Sequence, residues 1–133
     1  MAKELPVPPA ALTTRSIEMI RVWLASDRQH IVLNIGFWEK RGLDEREAWG
    51  ITLADMIHHI ANAHQAEYGH DPQESIEKIL RAFEAEMATA TSERLGEFVN
   101  EPLEEYPDPE QQSLSGVEPR PWLDATPAKH PRF

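Results

Sequence analysis

Two hydrophobic periods divide the chain. From Glu18 to Ala25, Ile20, Val22 and Leu24 alternate with Met19, Arg21 and Trp23, and after Ser26-Asp27-Arg28-Gln29 a second run sets Ile31, Leu33 and Ile35 against His30, Val32 and Asn34. A period of two puts alternate side chains on one face of a strand, and the polar break between the runs reads as a turn. The pattern therefore predicts a β-hairpin with one apolar face. Past Leu43 the period lengthens: Trp49, Leu53, Met56, Ile57, Ile60 and Ala61 recur at three- and four-residue spacing, which gathers them on one side of a helix.

The ends of that helix are marked. Asp44 stands three residues before Glu47, a capping-box arrangement in which the aspartate accepts from backbone amides and the glutamate reaches back, so the helix should run from about Glu45 to Tyr68, with Gly50 tolerated near its start. Gly69 suits the left-handed residue that ends it. Asp71-Pro72-Gln73-Glu74 then starts another helix, with aspartate at the N-cap, proline at the first position and glutamate in the first turn. This second helix extends to about Thr89, with Ile76, Ile79, Leu80, Phe83 and Met87 as its inner stripe and Glu74/Lys78 and Glu77/Arg81 as i,i+4 pairs outside. So short a connection makes the two helices an antiparallel hairpin. Residues 92 to 100 admit one further helical turn around Leu95, Phe98 and Val99, with Gly96 against it.

The order strand, strand, helix, helix gives an α+β fold of ββαα type, with the helices expected on one face of the antiparallel hairpin. Two strands alone are marginal in water, so the sheet needs completing. The simplest solution is a homodimer that pairs hairpin edges. The outer face of Trp23, Met19 and Val32 then offers a partner, or the tail, a place to lie.

The flanks differ in composition from this domain, which spans residues 16–100. Residues 1–15 contain Pro6, Pro8 and Pro9 without a clear period and read as an extended N-terminal arm. Residues 101–133 hold seven prolines, and acids outnumber bases there by seven to three, a composition that cannot build a core of its own. Tyr106, Leu114, Trp122, Leu123 and Phe133 are spaced along this acidic, proline-rich tail as apolar anchors. Together with Trp23 they form the candidate surface for a protein partner.

Charge and chemistry narrow the functional classes. The net charge of −10 opposes a phosphate-backbone binder, so no nucleic-acid partner is expected. There is no apolar run of signal-peptide or membrane-spanning length, and with no cysteine there is no thiolate site; a cytoplasmic address is the default. The glycines are scattered singly, which excludes a Walker loop or a dinucleotide fingerprint, and no Gly-x-Ser-x-Gly elbow exists.

The middle of the chain is histidine-rich, with His58, His59, His64 and His70 near Asp55 and Glu67. On a helical wheel His58 and His59 lie toward the polar side, His64 toward the apolar side, and His70 falls beyond Gly69, so the four do not converge and neither a metal nor a cofactor is assigned.

Arg21-Val22-Trp23-Leu24-Ala25, His30-Ile31-Val32-Leu33, Glu47-Ala48-Trp49-Gly50-Ile51, Ala54-Asp55 and His59-Ile60-Ala61-Asn62-Ala63 together resemble a family of small proteobacterial proteins, domain of unknown function 5076, over about residues 16 to 88. The resemblance agrees with the ββαα order and implies a bacterial, cytoplasmic protein. It offers no catalytic residues to transfer. The expected function is a non-catalytic accessory or adaptor protein whose domain and tail bind a larger protein partner. The alternative is a small-molecule or metal-binding protein, even an enzyme, using Asp55, His58, His59 and Asn62 with Trp38 and Trp49 nearby.

Overall fold

The computed structural model describes residues 1–100. The tail and its anchors Tyr106, Leu114, Trp122, Leu123 and Phe133 lie outside the described residues. The arm read as extended carries one short helix, α1 (Pro9–Thr13), with proline in its first turn and the Thr13 and Thr14 hydroxyls donating back to the Pro9 and Ala10 carbonyls. Strand β1 (Ile20–Ala25) pairs antiparallel with β2 (Arg28–Asn34), Ile20 opposite Leu33 and Ala25 opposite Arg28. The turn between them is only Ser26-Asp27, both at positive φ, 52° and 58°. That is the conformation in which a two-residue loop matches the twist of its strands, so Arg28 and Gln29 belong to the ladder rather than to the turn.

A 3-10 turn (Glu39–Arg41) leads into α2 (Glu45–Tyr68), and α3 (Pro72–Ala88) returns beside it. The caps are built as the sequence requires. Asp44 accepts from the Arg46 amide at 3.1 Å, Asp71 accepts from the Glu74 amide at 2.9 Å, and Gly69, at φ 73°, turns its amide onto the Gln65 carbonyl. Glu47 makes no return bond among the described residues; the Glu45 amide instead donates to Glu39 at 3.3 Å.

Residues 95 to 99 form a third strand, β3 (Leu95–Val99), rather than a helical turn. It pairs parallel with β2, so the sheet order is β1-β2-β3 and the chain completes its own sheet through the helical hairpin. Gly96 decides this. It sits at φ 144° against β2, where an added Cβ would lie 1.8 Å from the Ile31 carbonyl oxygen, so only glycine lets the two backbones approach.

The fully buried centre is small and sits where β2 ends and α2 begins. Trp38 is wholly buried, edge-on to Trp49 at 5.4 Å and to Phe37 at 5.8 Å, with the Arg41 guanidinium 4.3 Å over the Phe37 ring. Asn34, Gly36, Glu45 and Ala48 are buried in the same region, and Ala61 is buried farther along α2.

The closest packing is of α2 on α3 and of the strands within the sheet. Anchored at one end by Trp38 and Glu45, α2 runs on for 24 residues, about 36 Å. No helix among the described residues is long and apolar enough to cross a membrane.

Candidate functional site

Two places gather chemistry-bearing side chains: the root of α2 and the tip of the helical hairpin. At the root, Glu45 is the first residue of α2 and its carboxylate points back toward the end of β2. Both of its oxygens accept from the Gly36 amide, at 2.9 and 2.8 Å. A buried carboxylate is costly unless it is hydrogen-bonded. Here it ties the strand end to the helix start and spends both oxygens on backbone.

Farther along α2, Asp55, His59 and Asn62 are exposed and His58 is half-buried. Their spacing puts them on one outer side of the helix. Trp49 lies about 120° round from Asp55 and turns toward Trp38. The proposed grouping of these four polar residues with the two tryptophans is therefore split, aromatics at the root and polar residues on the outer side. Among the described residues no group of three or more His, Asp or Glu side chains could hold a metal ion.

The tip brings together residues that the wheel had separated. Gly69 bends the chain back, so His70 returns over the end of α2 and its Nδ1 comes within 3.4 Å of His64 Nδ1. The Tyr68 ring completes the group, 5.3 Å from His64 and 5.5 Å from His70. The sequence signal was Gly69 itself: a left-handed residue reverses the chain and returns the next side chain to the helix end.

Trp23, the one candidate partner residue within the described part, is half-buried and opposite His30 in the ladder. The other face of the sheet is the more open one, with Val22, Leu24 and Phe98 exposed.

Among the described residues, charge perturbation falls on surface carboxylates and on the arginines Arg21 and Arg46 that pair with two of them. Asp44 is held below the usual carboxylate range chiefly by its hydrogen bond from the Arg46 side chain, Glu18 by that from Arg21, and Glu86 by those from Thr91. Asp44 belongs to a helix cap, Glu18 to a local ion pair and Glu86 to the turn that follows α3.

The comparison with protein families decides where the chain belongs. The family described as domain of unknown function (DUF5076) matches residues 4–91, which reaches further into the arm than the resemblance over residues 16 to 88. The chain is a member of the DUF5076 family. The DUF5076 description attaches no activity to its members. The chain matches none of the curated proteins. Among solved structures it is similar, at 26% identity and a TM-score of 0.55, to one described as a "putative pyruvate dehydrogenase" from the photosynthetic bacterium Rhodopseudomonas palustrus CGA009; the match covers 70% of this chain and 91% of that one.

Proposed function

We propose that this DUF5076 protein is a non-catalytic accessory or adaptor protein, and that its domain and residues 101–133 together bind a larger protein partner in the cytoplasm. The observation that carries this reading is how its polar groups are used. The one carboxylate buried among the described residues, Glu45, is committed to the Gly36 amide, and Asp55, His59 and Asn62 of α2 stand on its outer side, so the domain is organised as a body rather than around a reacting centre. The apolar anchors Tyr106, Leu114, Trp122, Leu123 and Phe133, on a proline-stiffened segment that loses little entropy on docking, supply the means of attachment.

The test is affinity purification of the full chain from its native cell, beside a chain lacking residues 101–133 and a Trp122→Ala/Leu123→Ala variant. A partner retained by the full chain and lost by both changes supports the reading; retention by all three overturns the role given to the tail. Because the Rhodopseudomonas neighbour carries a pyruvate dehydrogenase name, the purified chain is also assayed for pyruvate-dependent reduction of an electron acceptor. Turnover would overturn the non-catalytic reading.

One observation favours a second reading, metal binding. Two ligand nitrogens on a tetrahedral zinc stand about 3.3–3.4 Å apart, and His64 and His70 hold their Nδ1 atoms at 3.4 Å. Titration with Zn²⁺ distinguishes it: stoichiometric binding abolished by His70→Ala favours the second reading, and no binding eliminates it.

A further inference from the structure

The sheet has one nearly continuous apolar face. The register sets Ile20, Leu33 and Phe98 in a row across the three strands, and Val22 and Ile31 in the next row, with Leu24 beyond. In a two-layer α+β domain such a face lies under helices. Here the cover is incomplete: Ile20, Ile31 and Leu33 are half-buried, but Leu24 is 79% exposed, Phe98 68% and Val22 48%. The helical hairpin has the reciprocal problem. It carries two partly exposed apolar strips, Leu53, Met56 and Ile60 on α2 and Leu80, Phe83 and Met87 on α3, with Met87 74% exposed.

We infer that a second copy of this chain covers these surfaces, each helical hairpin lying on the apolar sheet face of its partner. The two surfaces belong to one chain and both are left open within it, while the bonds from Glu45 to Gly36 hold the root of α2 at the end of β2. A two-fold axis solves this twice over. The sheet of one protomer receives the hairpin of the other, the reverse contact follows by symmetry, and the remaining helical strip meets its own copy at the axis.

The areas agree with what a stable dimer needs. Taking about 200 Å² for a fully exposed large apolar side chain, the three sheet residues leave roughly 400 Å² uncovered and the six helical residues roughly 600 Å². They match the roughly 800 Å² that each partner contributes to a standard interface. Pairing of the exposed β1 edges, the dimer expected from the sequence, would leave both surfaces open to water.

The absence of cysteine in the native chain makes the test clean. Sedimentation equilibrium of the full chain between about 1 and 100 μM should give twice the 15.2 kDa chain mass. Leu24→Glu and Phe83→Glu alter side chains exposed in the single chain, so each protomer should keep its helical circular dichroism while its dimer dissociates on the order of 100-fold more readily, a charge having been buried without a partner. A mixture of Leu24→Cys and Phe83→Cys chains, treated with a short bis-maleimide, should yield a mixed covalent dimer in excess of either homodimer. A monomeric mass at 100 μM overturns the inference. So does a dimer that both glutamates leave intact, which would indicate edge pairing, and so does a chain that dimerises only when residues 101–133 are removed, which would make the tail the occupant.

Discussion

Glu45 grips the amide of Gly36 with both carboxylate oxygens, 2.9 and 2.8 Å away, joining the segment after β2 to the first turn of α2. Removing one partner of such a contact leaves the other desolvated and unpaired. Glu45→Ala should therefore destabilise the fold by about 2–3 kcal/mol. Glu45→Gln, which keeps one acceptor, should cost less. Chemical denaturation of the two variants beside the native chain checks the order.

Gly96→Ala should be the more damaging change, because no flexible side chain can yield to the new methyl group: the obstacle is the Ile31 carbonyl on the central strand. We expect a loss of at least about 3 kcal/mol, within the range of severe core and backbone substitutions. Amide exchange would show the loss of protection concentrated on residues 95 to 99 and on their β2 partners, while β1–β2 pairing persists.

The hairpin turn holds two non-glycine residues in left-handed conformations, Ser26 and Asp27. Asn-Gly is the preferred pair for such a turn. Replacing Ser26-Asp27 with it should stabilise the domain by about 1 kcal/mol, since a left-handed backbone costs an L-residue about that much. A rise of about 4–8 °C in the melting midpoint is the corresponding readout for a domain of this size.

Protonation should weaken the first turn of α2. The Asp44 carboxyl is lowered in the folded state by its bonds with Arg46, so its contribution is complete above the ordinary aspartate value and is lost as the pH falls through the lowered one. A carbon-detected NMR titration should place the Asp44 midpoint below that of an unperturbed aspartate, and Arg46→Ala should move it back up.

How much of this could be read along the chain depended on how local the cause was. Both long helices were legible because their signals are adjacent in sequence: Asp44 before Glu45, Gly69 after Tyr68, Asp71-Pro72 at the next start. β3 was not, because its partner lies some sixty residues earlier and parallel pairing leaves no turn motif to mark it. Gly96 carried the only hint, and it read as an obstacle to a helix when it was a requirement of a strand. The convergence of His64 and His70 was hidden for a related reason, since a wheel ends where the helix ends and takes no account of the chain folding back. Amphipathic stripes disclosed which side chains seek cover; they did not disclose that Leu80, Phe83 and Met87 would stay exposed within the single chain.

The position of β3 also sets an order of events. β2 is the central strand, yet one of its two neighbours is made last, after both helices. During synthesis the β1–β2 pair has its local partner at once, while the other side of β2 waits for residues 95 to 99 to leave the ribosome. Folding of the sheet is therefore completed by its most distant contact in sequence, the kind of closure that slows a domain and leaves a nascent chain open to mispairing.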